Sequence, residues 1–169
     1  MASIERFLGK KVEIPEDRRY VPKQGLWGKL DDETIIFGLS EPALVLAGGL
    51  NDLEQLVGSG DTVREGDAVA FAITAKIQYF DAPIRGRIHF NPAVKESPSL
   101  VLEDSYASGW IFRIKPEEGT EKAMEKMADA SAYINSLKHT EGFKNPDGLK
   151  GGVSGVCKAV YTGIREQSI

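Results

Sequence analysis

Turn residues recur so closely between Gly60 and Pro98 that only short elements fit between them. Gly60-Asp61 and Gly66-Asp67 carry the chemistry of tight turns. Pro83 and Gly86 mark another turn, and Pro92 with Pro98 excludes a long element from "NPAVKESPSLV". The intervening residues are largely β-branched, aromatic or small, as strands prefer. The central piece, "AVAFAITAKIQYFDAPIRGRIHF" from Ala68 to Phe90, reads as a hairpin followed by a second turn and strand. It holds one lysine, Lys76, where the hairpin tip falls. That amine is either a charge that keeps the hairpin soluble or the anchor of a covalent group on a tether.

The flanks extend the same pattern. "LWGKL", "DDE" and "TIIFGL" read as strand, turn and strand. Ser40 is a good N-cap, Pro42 suits a first helical turn, and Gly48-Gly49 stops the short helix between them. "GWIFRIK" is a strand with Trp110, Phe112 and Ile114 on one face and Ile111, Arg113 and Lys115 on the other. The charged stretch up to about Pro22 reads as an extended lead-in. After Pro116, "TEKAMEKMADASAYINSLK" predicts one helix capped by Thr120, with Met124, Met127, Ala128, Ile134 and Leu137 near one face. Beyond His139 come turn residues. Val153, Val156, Val160 and Ile164 then fit a helical stripe, although Val, Thr and Tyr there also suit a strand. The fold class is α+β, mainly β.

Composition narrows the function. A chain of 169 residues, 41% apolar and 27% charged, suits one soluble globular domain, with or without a tail. A net charge of −4 offers no electrostatic footprint for nucleic acid or an anionic membrane. The N-terminus has no apolar signal region, and no apolar run is long enough to span a bilayer. The single cysteine, Cys157, allows no internal disulfide and fits a reducing, cytoplasmic setting.

Familiar catalytic patterns are missing. His89 and His139 are far apart and have no metal-ligand spacing. "GGVSGVC" fails as a nucleophile elbow because Val156 stands where the closing glycine belongs. Asp31-Asp32 and Glu117-Glu118 lie in turns and read as solvated charges. Tyr106 and Trp110 read as packing residues, Met124 and Met127 as helix-face filler, and Cys157 as an inert thiol. Without a nucleophile, a general base or a metal site, a role other than an independent enzyme is expected.

A swinging-arm carrier needs only an accessible primary amine on a rigid tip. The tether then brings a bound intermediate to successive active sites at high local concentration. The order Gly66-Asp67, strand, Lys76, strand, Pro83, Gly86 meets that layout, as do many solubilising hairpins.

The region from Trp27 to Lys115 resembles the H-protein family of the glycine cleavage system, a relative of lipoyl domains. "APIRGRIHFNPAVKESPSLVLEDSYASGWIFRIKP" carries the specific part of the match. Its matching residues are Pro83, Gly86, Asn91, Pro98, Leu100, Val101, Asp104, Tyr106, Gly109, Trp110, Ile114 and Lys115. Earlier, "GLS" at Gly38–Ser40 and "GDTVREGD" before the hairpin are similar to family segments. The resemblance implies a lipoyl-domain-like barrel-sandwich hybrid of small antiparallel sheets with flanking helices. It implies lipoate in amide linkage to Lys76, counted forward from Gly66.

The same resemblance implies a non-catalytic carrier of an aminomethyl group. Its partners would be a pyridoxal-phosphate glycine decarboxylase, a folate-dependent aminomethyltransferase, a flavin dihydrolipoyl dehydrogenase and a lipoyl ligase or transferase. Residues 1–138 would be the carrier domain and 139–169 an extension without counterpart in the family pattern. Three departures bear on the tip. Ile73 replaces an acidic residue three positions before the lysine. The return strand is one residue shorter, so counting backward from Pro83 reaches Ala75. Gly25 stands where the family has histidine. An unmodified scaffold, or a protein relaying lipoate to another pathway, are the alternatives these departures raise.

Overall fold

The computed structural model describes residues 1–149. In chain order the first strands are β1 (Ala2–Phe7), β2 (Lys10–Ile14), β3 (Arg19–Val21), β4 (Leu26–Asp31) and β5 (Thr34–Leu39). Helix α1 (Glu41–Ala47) precedes β6 (Asp52–Gln55), β7 (Thr62–Val63), β8 (Ala68–Ile73), β9 (Ile77–Asp81) and β10 (Gly86–Phe90). Two short helices, α2 (Pro92–Glu96) and α3 (Leu100–Glu103), lead to β11 (Phe112–Pro116). Helices α4 (Thr120–Glu125), α5 (Ala130–Leu137) and α6 (Glu141–Lys144) follow.

The mainly-β, α+β arrangement is the one expected, and all pairing is antiparallel. A six-stranded sheet runs β3-β4-β5-β11-β10-β7, and a three-stranded sheet runs β6-β8-β9. The larger core holds Ile35, Phe37, Ile88, Phe112 and Ile114 from the large sheet with Ala70, Ala72 and Phe80 from the small one. Gln24, in the β3–β4 turn, ties the two sheets further. Its side-chain amide donates to the Asp81 carbonyl at 3.1 Å and its side-chain oxygen accepts the Asp81 N–H at 2.6 Å.

A second core gathers Phe7, Ile14, Tyr20, Trp27, Tyr133 and Leu137. It exists because the supposed lead-in is paired: β1 and β2 form a hairpin. Leu8 and Gly9 turn it with φ of 51° and 79°, the left-handed backbone of a tight hairpin. Phe7, Val12 and Ile14 point inward while charged neighbours face solvent. Residues beyond 138 complete this core, since Gly142 lies flat against the Phe7 ring and Phe143 meets it edge-on at 6.0 Å.

The single helix expected after Pro116 is two. Between α4 and α5, Ala128 pairs with Tyr20 through both backbone bonds, at 2.7 and 2.9 Å. A residue inside a helix has already committed these groups to the helix, so the helix breaks there. Asp129 restarts it by accepting the Ala132 N–H at 2.8 Å. Thr120 opens α4 instead of capping it; Gly119 holds that position. The proposed single stripe is accordingly divided, with Met127 in the larger core and Leu137 in the second.

Strand β11 shows the expected alternation from Phe112 to Lys115, but Ile111 before it is buried too. Trp110 lies half-buried under the Arg113 guanidinium, 4.8 Å from its ring centre. The stripe from Val153 to Ile164, the "GGVSGVC" segment and Cys157 lie outside the described residues.

Candidate functional site

The hairpin of β8 and β9 is built on unequal arms. β8 has six residues and β9 five. A bulge absorbs the difference: Val69 is extra where Ala68 pairs with Asp81 and Ala70 with Phe80. Above it the register is regular, ending with Ile73 opposite Ile77. Thr74, Ala75 and Lys76 are left as a three-residue tip.

Thr74 fixes that tip. Its backbone N–H and its hydroxyl each donate to the Lys76 carbonyl at 2.8 Å. Its Oγ1 also accepts the Lys76 N–H at 3.2 Å. The threonine is buried and the lysine exposed. Lys76 makes no ion pair among the described residues. Its backbone is held and its side chain is free, which is the combination a tethering residue requires. The backward count to Ala75 therefore does not bury the amine: both residues are exposed at the tip.

A cavity of about 650 Å³ opens beside Lys76. Gly25 lies on one side, Ala43 and Leu46 of α1 on another, with Ile77 and Tyr133 completing the wall. Gly25 has φ of 71°, and a β-carbon there would overlap the Ala43 methyl. The family's histidine cannot occupy this backbone without moving α1. Tyr133 shares a 2.5 Å hydrogen bond with Ser40, the α1 cap. Burial pushes its phenol up to about 12, against a smaller opposing effect of the Ser40 bond, so the hydroxyl stays neutral near pH 7. The wall is partly apolar, with Lys23 as a second cationic side chain on its rim beside Lys76.

The other sequence candidates stay apart from this place. His89 and His139 are exposed, and no cluster of potential metal ligands exists among the described residues. Asp31 pairs with Arg113 at 3.2 Å, and Glu117 with Arg85 at 3.2 Å, as surface ion pairs. Tyr106 ties loops together: it accepts the Glu41 N–H at 2.9 Å and donates to the Glu13 carbonyl. No helix among the described residues is long and apolar enough to cross a membrane.

Sequence reasoning found Lys76 but not Thr74 or the cavity wall. A hydroxyl residue two positions before a tip lysine is a turn-forming signal available in the sequence. Tyr133 and Leu46 come from distant helices and carried no such signal.

The family model described as glycine cleavage H-protein matches residues 18–140. The glycine cleavage system H protein of Pseudoalteromonas atlantica is 38% identical over 127 residues, spanning 74% of this chain and 96% of that one. Its counterpart from Thermus thermophilus is 33% identical over 129 residues, spanning 75% and 98%. The crystal structure of a glycine cleavage system H protein from Mycobacterium marinum matches with a TM-score of 0.61 and 26% identity, covering 72% of this chain and 97% of that one.

Proposed function

The chain belongs to the glycine cleavage H-protein family, and on that premise we propose that it is a lipoyl carrier with Lys76 as its attachment point. Its antiparallel sandwich with flanking helices is the lipoyl-domain-like fold anticipated from the sequence. The observation that carries the site assignment is the Lys76 tip itself, clasped through its backbone by Thr74 and exposed at its side chain.

The residues present fit the group. Lys76 would hold lipoate by an amide, which removes the charge and lengthens the reach. When bound, lipoate supplies a dithiolane able to accept and release an aminomethyl group. The cavity between the tip, α1 and α5 gives the arm a lined resting place, walled by Leu46, Ile77 and Tyr133. Nothing in this arrangement makes or breaks substrate bonds; the chain presents, and partner enzymes catalyse. By family those partners are glycine decarboxylase, aminomethyltransferase, dihydrolipoyl dehydrogenase and a lipoyl ligase or transferase. The setting is the cytoplasm. The carrier unit is residues 1–138, with 139–169 an extension whose first turns fold back on β1.

Ile73, standing where the family has a carboxylate, favours a second reading: an unmodified H-like scaffold. Intact-mass analysis of the chain from its own cell separates the two. One lipoyl amide mapped to Lys76, and lost in Lys76→Arg, is the result expected. Protein that is uniformly unmodified under conditions where other lipoyl proteins are loaded would establish the scaffold.

A further inference from the structure

Several of the large apolar side chains that the described residues expose stand together on the small sheet. Directly paired residues share a face, so Ile73 with Ile77 and Phe71 with Tyr79 lie side by side on the outside of β8 and β9. Ile73, Ile77 and Tyr79 are 37%, 56% and 59% exposed, high values for such side chains on a sheet. The rings of Phe71 and Tyr79, with centres 5.7 Å apart, make the patch continuous. The opposite face of the same strands is core, with Ala70, Ala72 and Phe80 buried. Asp52 and Glu54 of β6 pair with Ile73 and Phe71 and border the patch on one side. Asp81, two residues beyond Tyr79, is exposed at its other end. The one basic residue of the hairpin is Lys76 at the tip.

We propose that residues 150–169 of this same chain dock on that face and cover it, standing at the base of Lys76 where a large partner must displace them. The segment is complementary in chemistry. It holds Val153, Val156, Val160 and Ile164, with Lys150, Lys158 and Arg165 against a single carboxylate at Glu166. Val156, Val160 and Ile164 are four apart, a spacing that keeps to one stripe of a helix and to one face of a strand. In either form the apolar side chains meet the patch while the cations meet Asp52, Glu54 and Asp81.

Reach does not restrict the segment. Residues 150–169 extend to about 60 Å, and a domain of this size has a radius of gyration of about 15 Å. Every face is within range, so composition selects the face. Area then selects a tethered occupant. Ile73, Ile77 and Tyr79 expose on the order of 300 Å² together, whereas a stable complex between free proteins buries about 800 Å² on each partner. A segment on the same chain acts at an effective concentration near millimolar and needs far less area. A second copy docked face to face would set Asp52, Glu54 and Asp81 against their own counterparts. The gating, unlike the docking, rests on Lys76 being the attachment point.

Cys157, the single cysteine of the chain, lies within the segment and accepts one nitroxide label. In the full-length, isotope-enriched protein the nitroxide is expected to broaden away the amide signals of Ile73, Ile77 and Tyr79. The signal of Leu30, exposed on the other sheet, is expected to keep its intensity. Val156→Asp/Val160→Asp is expected to abolish the broadening, and so is Ile73→Thr/Ile77→Thr, which keeps the strand preference. Added salt is expected to weaken it. Thermal unfolding should be unchanged in the aspartate variant, whose substitutions lie outside both described cores. No selective broadening, or broadening centred on Leu46 and Leu137 of the cavity, would overturn the docking. Broadening on an enriched chain without nitroxide, mixed with a nitroxide chain that is not enriched, would overturn it by assigning the face to a second copy.

The gate is read from the gain of one lipoyl mass in an extract of the producing cell supplied with lipoate and ATP. The aspartate variant is expected to gain it severalfold faster than wild type. Equal rates would overturn the gate. Absence of the lipoyl mass from both chains, in an extract that loads other carriers, would overturn the Lys76 assignment and the gate with it, while the broadening pattern still decides the docking.

Discussion

Thr74 encloses the backbone of Lys76 from both sides, giving two hydrogen bonds to its carbonyl and taking one from its N–H. The hairpin tip is therefore a fixed mount from which a mobile side chain extends. Thr74→Val keeps the shape but loses the hydroxyl bonds, each worth about 0.5–1.5 kcal/mol. Global stability should drop by that order, while the Lys76 amide proton exchanges faster than in wild type. Hydrogen exchange at that one amide reads the effect, and a slower gain of lipoate should accompany it.

Moving the amine by one residue tests how strictly the tip aims it. In Ala75→Lys/Lys76→Ala the charge and tether length are unchanged, and both positions are exposed. Only the direction differs, and neighbouring residues on a tight turn diverge widely. Lipoyl occupancy by intact mass should fall well below wild type, with unfolding unaltered.

Gly25 combines a left-handed backbone with close approach to Ala43. Gly25→Ala should cost about 1–3 kcal/mol from the backbone conformation, with the methyl overlap adding to it. Denaturant titration reads the loss. Adding Ala43→Gly should relieve the overlap without relieving the backbone, so the double variant should recover only part of the Gly25→Ala deficit.

Alkaline unfolding should bear the signature of the buried phenols. Tyr133 is raised to about 12 from an ordinary value of 10.0 by burial. Above pH 10 the unfolded chain releases this proton while the folded chain keeps it. The folded state then binds more protons, so stability is complete below pH 10 and declines as pH rises through 12. Tyr20 and Tyr106 are raised also, chiefly by burial, and steepen the same limb. Tyr133→Phe should lose a little stability at neutral pH, from the Ser40 bond, and show a shallower decline above pH 10. Urea midpoints from pH 8 to 12 measure both.

The sequence disclosed elements whose cause is local and concealed those whose cause is distant. Ser40, Pro42 and Gly48 set the ends of α1 with their own side chains and backbone, so that helix was legible. The β8–β9 hairpin was legible because Gly66-Asp67 and Pro83 bracket it. The β1–β2 hairpin was not: its turn is Leu8-Gly9, without the usual Asn or Asp, and charged outward residues mask Phe7, Val12 and Ile14. The break in the C-terminal helix comes from Tyr20, more than a hundred positions away, although Asp129 offered a cap signal. At the site, the lysine was marked by its isolation among apolar strands, whereas the cavity is assembled by α1, α5 and the β3–β4 turn and has no linear signature.

The bridge between Tyr20 and Ala128 also finishes the large sheet. β3 is its outermost strand, and the backbone groups of Tyr20 that would otherwise face outward are taken by Ala128. Unsatisfied strand borders recruit neighbouring chains and seed fibrils. A broken helix thus serves as a hem, and the molecule can be concentrated without stitching itself to its own kind along that border.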